Sequence, residues 1–155
     1  MSDQLQRVID AIDARADEIV EFAGELIRQP SVNPDLEPND DAERPAQEWL
    51  RDQLAATGGY DIDYYEVATN RPNVVATRKG TGGGRSLIWA AHTDVVPVTP
   101  EQRDVWVGSG PFSGEVIDGR LYGRGASDMK GAIAAYAMAA TILKDEGIEL
   151  QGDLI

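Results

Sequence analysis

The sequence has no cysteine and a single histidine. Without cysteine there is no disulfide framework and no thiolate zinc site, and the composition suits a reducing compartment. Lysine is nearly as scarce, present only as Lys79, Lys130 and Lys144. At a net charge of −13 the chain should repel nucleic acid and anionic membranes, so neither is expected as a partner. The acids are spread along the chain rather than clustered. That reads as a solvated acidic surface, suited to a salt-rich cytoplasm, ahead of a docking site for a cationic substrate. Long apolar runs are missing as well: the longest, roughly Ala132 to Leu143, falls short of the ~20 residues that span a bilayer. Met1 to Gln4 lack the basic and apolar regions of a signal peptide. A cytoplasmic protein is the expectation.

What is present reads as one globular domain, with 155 residues of which 42% are hydrophobic, enough to bury a core. Leu5, Val8, Ile9, Ile12, Ile19, Val20, Ala23, Leu26 and Ile27 recur at three- and four-residue spacing. This predicts one long amphipathic helix over 3–29 that packs on the protein's own sheet. Ser2 is its candidate N-cap and Pro30 its stop. A loop by composition follows from Ser31 to Asp41. A second helix is predicted from Ala42 to Ala56, ended by Gly58-Gly59. Tyr60–Val67 and Asn73–Lys79 read as strands.

The glycines at 80 and 82–84 lie between two strands, whereas a dinucleotide-binding loop follows a strand and opens a helix. Arg85 also stands where a further glycine would be required. A hairpin connection is the reading, and a nucleotide-binding module fails on glycine placement. A long loop runs from Thr93 to Phe112, and loops of that length in compact domains are usually functional or disordered. Glu115–Asp118 and Arg120–Tyr122 flank Gly119 as a small hairpin. A helix rich in alanine spans Lys130–Lys144 up to Gly147, and Leu150–Ile155 begins another strand.

Two stretches carry the chemistry. Leu87-Ile88-Trp89-Ala90-Ala91-His92-Thr93-Asp94 is an apolar run ending in His-x-Asp, and it reads as a buried strand with polar groups just past its end. Ligands in open α/β sheets sit at that place. Gly123-Arg124-Gly125-Ala126-Ser127-Asp128-Met129-Lys130-Gly131 is a glycine-rich loop with one carboxylate running into a helix. An imidazole and two aspartates form the skeleton of a metal site, because imidazole suits zinc and a carboxylate can bridge two ions. If they form one, His92 and Asp128 should approach within about 4 Å in one cleft. The fold class expected is α/β, with helices packed on a mostly parallel mixed sheet.

In this order and on these elements, the two motifs resemble the N-terminal part of the co-catalytic zinc amidohydrolase and peptidase family. That family includes succinyl-diaminopimelate desuccinylase, acetylornithine deacetylase, aminoacylase and the glutamate carboxypeptidases. The likeness extends to Arg28-Gln29-Pro30-Ser31-Val32-Asn33, Arg71-Pro72-Asn73-Val74-Val75-Ala76, His92-Thr93-Asp94-Val95-Val96-Pro97 and Trp106 to Phe112. It implies that His92 ligates one zinc and that Asp128 bridges two, with a cis peptide after it. Asp94 would stand behind His92, fixing its ring and acting as the catalytic aspartate. Two zinc ions are implied, with cobalt as a substitute.

The implied reaction is hydrolysis of an amide bond in an N-acyl amino acid or small peptide. A glutamate of a Glu-Glu pair would move the proton. That pair, a later acidic ligand, a last histidine and an inserted dimerisation domain are all expected beyond Ile155. Residues 1–155 are thus expected to be the N-terminal part of the catalytic domain, inactive in isolation, and the full-length form a homodimer. The alternative is a stand-alone, non-catalytic α/β protein with a vestigial metal half-site. Lys130 is read as structural, and Arg124 as either a loop brace or a substrate contact.

Overall fold

The computed structural model of the chain describes residues 3–155; the candidate N-cap Ser2 lies outside them. The predicted first helix is in fact two, α1 (Asp3–Ala14) and α2 (Ala16–Ile27). They meet at Arg15, whose backbone leaves helical geometry (φ −111°, ψ 20°). Its guanidinium bridges Glu18 and Asp145 at 2.8 Å each. Both helices pack against α5 (Gly131–Asp145), and α2 also meets α3 (Arg44–Thr57). The expectation that the first helix lies on the sheet is corrected by this. The small residues of α5 let other helices approach closely, so the apolar stripe of α2 is buried between helices.

Leu26, Ala46, Leu50 and Ile133 form the cluster at that junction, flanked by Phe22, Trp49 and Leu54. Phe22 meets Trp49 edge-on with centroids 4.9 Å apart, an arrangement that aromatic quadrupoles favour. Helix ends follow the glycine and proline signals. Gly58 (φ 72°) follows α3. Past α5, Gly147 (φ 67°) donates to the Lys144 carbonyl while Ile148 donates to that of Leu143, the double bond of a Schellman ending.

β1 (Asp61–Ala68) and β2 (Arg71–Thr77) form one antiparallel hairpin. The expected loop after Thr93 contains a short helix, α4 (Pro100–Asp104), with a complete capping box between Thr99 and Gln102. A second antiparallel hairpin joins β3 (Glu115–Ile117) to β4 (Arg120–Tyr122). The expected mostly parallel sheet is therefore a correction: both sheets are antiparallel. Short connections force antiparallel pairing, whereas parallel neighbours need a crossover. The α5 crossover does bring Leu87 parallel to Leu154, and Leu154 also pairs antiparallel with Arg78. Leu87 donates to the Asp153 carbonyl and accepts from Ile155, both at 2.9 Å. Segments 73–79, 86–91 and 150–155 thus share one hydrogen-bonded layer, with the last two entering as single bridges rather than extended strands.

Residues 87–91 are also not the buried strand expected. Leu87 and Ile88 are 53% and 66% exposed, because this segment flanks the layer and pairs only with 153–155 among the described residues. Trp89 is the exception, stacked on Tyr136 of α5 with centroids 5.2 Å apart. A cavity of about 340 Å³ opens between this segment, β2 and α5. Among the described residues no helix is long and apolar enough to cross a membrane.

Lys130, at the start of α5, is fully buried. Its ammonium donates to the carbonyls of Leu26 (3.2 Å), in the last turn of α2, and Gln29 (2.6 Å), just past its end. Burial pushes its pKa down from 10.5 to about 8. Between about pH 8 and 10.5 the unfolded chain therefore holds the proton more tightly than the folded one, so stability should rise with pH across that window. Relative to Lys130→Met, the wild type should gain on the order of 2 kcal/mol over it, at about 1.4 kcal/mol per pKa unit. Denaturant melts of both proteins at pH 7.5 and 10 check this, and parallel pH profiles would refute it.

Candidate metal centre

The His-x-Asp segment is braced by Ser31–Asn33, the stretch read as a loop. Val32 and Val95 pair in parallel, with Val95 N–H on the Ser31 carbonyl and Asn33 N–H on the Val95 carbonyl, both 2.9 Å. The buried Ser31 hydroxyl donates to the Thr93 carbonyl at 2.6 Å. Gln47 of α3 donates to the Thr93 hydroxyl at 3.0 Å. Thr93 is buried, which turns its neighbours His92 and Asp94 outward. Four bonds from two elements thus fix a short segment on which two functional candidates sit.

The other half is the glycine-rich loop. Ala126–Lys130 form a wide turn containing a cis Asp128–Met129 peptide, the isomer the resemblance implies. Gly125 lies at φ 89°, and a Cβ there would stand 2.8 Å from the Val95 side chain and 3.2 Å from that of Lys130. Both the conformation and the packing therefore need glycine. Through this contact the loop seats directly on the segment that follows Asp94.

The two halves meet. His92 Nε2 lies 3.2 Å from Asp128 Oδ1, inside the 4 Å expected of a shared ion. His92 Nδ1 lies 3.1 Å from Asp94 Oδ1 and 3.1 Å from the Asp94 main-chain carbonyl. A main-chain carbonyl only accepts, so Nδ1 carries a proton, and Nε2 faces the Asp128 carboxylate. His92, Asp94, Arg124, Ser127 and Asp128 line one cleft of about 230 Å³. Asp128 is 86% exposed, against 50% for His92 and 32% for Asp94, so its carboxylate is open to a ligand from outside.

Zinc–ligand distances are ~2 Å, which puts two ligands of one ion ~3 Å apart. The imidazole and carboxylate fit that geometry as one side of a site. No cluster of three or more candidate metal-binding side chains occurs among the described residues, so the donor set falls short of the three protein ligands usual in catalytic zinc.

Arg124 braces the loop. Its guanidinium lies 5.4 Å from the Trp106 ring centroid and 3.5 Å from Gln102 Oε1, while its main-chain N–H donates to the Pro111 carbonyl at 2.6 Å. It also reaches the cleft wall. Sequence reasoning missed Ser31, Asn33 and Gln47 as supports. Their signal, polar residues just past a helix stop and on a helix face, is shared with ordinary loops and surfaces.

Residues 88–155 match the family model described as Peptidase family M20/M25/M40. The chain is 39% identical over 137 residues to the succinyl-diaminopimelate desuccinylase of Methylocella silvestris, covering 87% of this chain and 32% of that protein. It is 33% identical over 153 residues to the N-formyl-4-amino-5-aminomethyl-2-methylpyrimidine deformylase of Halalkalibacterium halodurans, covering 97% and 34%. Among solved structures it is similar to the M20 family metallo-carboxypeptidase Sso-CP2 of Sulfolobus solfataricus, at a TM-score of 0.71 and 27% identity over 88% of this chain and 30% of that one. The chain spans about a third of the length of the curated relatives it matches, 32% and 34%.

Gly125→Ala should cost about 1–3 kcal/mol, the range for a non-glycine residue held in a sparsely populated backbone region. It should also loosen the loop that presents Asp128. Thermal melts give the first. Faster amide exchange over 123–131 with the β1–β2 hairpin unchanged would show the second, and unchanged exchange there would count against the loop's dependence on this glycine.

Proposed function

The chain is related to peptidase family M20/M25/M40, and from that relationship we propose that residues 1–155 are the N-terminal part of the catalytic domain of a metal-dependent amide hydrolase. The substrate is a small N-acyl amino acid or peptide, of the desuccinylase or deacetylase type, acted on in the cytoplasm by a homodimeric full-length form. The observation that carries the reading is the His92–Asp128 approach at 3.2 Å in a cleft built from the two motifs.

In this reading His92 Nε2 and the Asp128 carboxylate would hold metal, zinc or cobalt, one side of a two-ion site. When bound, such ions polarise the scissile carbonyl and lower the pKa of water. The protein's own groups do the rest. Asp94 accepts a hydrogen bond from Nδ1–H, which turns Nε2 toward the cleft. Ser31 and Gln47 keep the Thr93 segment in register, so the imidazole stays aimed at the cleft. Arg124, stacked on Trp106, holds the cleft wall.

Two ligands support weak binding and no efficient chemistry. The 155-residue chain should bind zinc, with its single imidazole responding, and His92→Ala should abolish that response. Hydrolysis of N-succinyl- and N-acetyl-amino acids with added zinc or cobalt should be at least about 10²-fold slower than for a chain extended through a Glu-Glu pair and a second histidine, since a positioned acid/base is worth 10²–10⁴. Comparable turnover by the two would overturn the claim and mean that other carboxylates, or a second copy, complete the site.

A further inference from the structure

Asn33 has no ionisable group and sits in a stretch that composition marks as a loop, yet it holds the carboxylate behind the histidine. Its Nδ2 donates to Asp94 Oδ2 at 2.9 Å. On the other side its Oδ1 accepts from the Asp35 main-chain N–H, also at 2.9 Å. These partners fix which way the amide faces. Turned over, it would set its carbonyl against a carboxylate and its NH₂ against an N–H. The main chain of Asn33 is pinned by its bond to the Val95 carbonyl, one residue past Asp94, so the side chain reaches Asp94 from a fixed base. With Oδ2 taken by Asn33, Asp94 presents Oδ1 to His92 Nδ1 at 3.1 Å.

We propose that Asn33 is a positioning residue that aims Asp94 at His92 and, through Asp94, sets the proton arrangement and direction of the imidazole facing Asp128. Asn33, Asp94, His92 and Asp128 form a continuous line of contacts, with the amide at its inner end and the open carboxylate at its outer end. The consequence for metal affinity rests on the reading of His92 as a ligand; the consequence for the ring does not.

The test uses the 155-residue chain, whose one histidine gives a single set of ring nitrogen signals. Followed across a pH series, those signals report which nitrogen bears the proton. The wild type should show Nδ1–H. Asn33→Ala should raise the Nε2–H fraction, partly rather than wholly, because the Asp94 main-chain carbonyl still faces Nδ1. Asn33→Asp keeps an acceptor for Asp35 N–H but loses the donor to Asp94. It should therefore reproduce the change with the local turn intact, and it decides the matter if the alanine variant fails to fold.

Titration with zinc chloride should show affinity about 10-fold weaker in Asn33→Ala, the lower end of what removing an outer partner of a ligand costs. In an Asp94→Ala background the same substitution should add nothing to either readout, since coupled residues are not additive. Ring signals unchanged in both Asn33 variants, or changes as large without Asp94 as with it, would overturn the proposal. If zinc leaves His92 unmoved in every protein, the metal-site reading falls, while the ring comparison still decides the role of Asn33.

Discussion

Among the described residues the Lys130 ammonium is buried with carbonyls rather than a carboxylate as its hydrogen-bond partners, and the arrangement of the helices around the cleft depends on it. Its hydrogen bonds go to the Leu26 and Gln29 carbonyls, at the point where Pro30 stops α2. Burying a charge is costly unless it is hydrogen-bonded, and two of the three ammonium donors are met here by carbonyls at and just past the end of α2. One interaction therefore closes α2, starts α5 and anchors the glycine-rich turn between them. Asp128 lies two residues before Lys130 in sequence, so the open end of the candidate site is tied to the most enclosed cation in the protein.

The cleft contrasts with that anchor. His92 and Asp128 are half or more exposed, and the groups that hold them are not. Ser31 and Thr93 are buried, and their mutual hydrogen bond sets the segment from beneath. Preorganisation of this kind places the rigid part inside and leaves the reactive edge to the ligand. The scaffold thus sets where the two side chains point.

Much of this was legible from residues. Gly58, Pro30 and Gly147 mark helix ends, and the spacing of Asp118–Gly119 gives the β3–β4 turn. The His-x-Asp and glycine-loop motifs point to the pair found 3.2 Å apart, and the match of residues 88–155 agrees with the resemblance they carry. Other features were not legible, for physical reasons. Apolar periodicity runs through Arg15 without a break, because the break rests on ion pairs to Glu18 and Asp145 rather than on a helix-stopping residue. Periodicity also says which face is buried but not by what, so the helices expected on a sheet lie on α5. The apolar run 87–91 reads as buried, although burial depends on neighbours on both flanks. Asn33 was hidden because an amide that orients a carboxylate looks, in sequence, like any polar loop residue.

Leu154 joins strands that are far apart in the chain, bonded to Arg78 on one side and Leu87 on the other. The β1–β2 hairpin closes locally, but the segment leading to His92 gains its pairing only when residues from the far side of α5 arrive. Loop closure over such a distance must be met before its contacts reward it. The order of events during synthesis follows. The first hairpin and its contacts with α3 can form early, whereas α1 and α2 wait for α5, and the edge that leads to His92 waits for residues 153–155. The segment that carries His92 thus stays unpaired long after it is made, open to wrong contacts while the chain is still being synthesised.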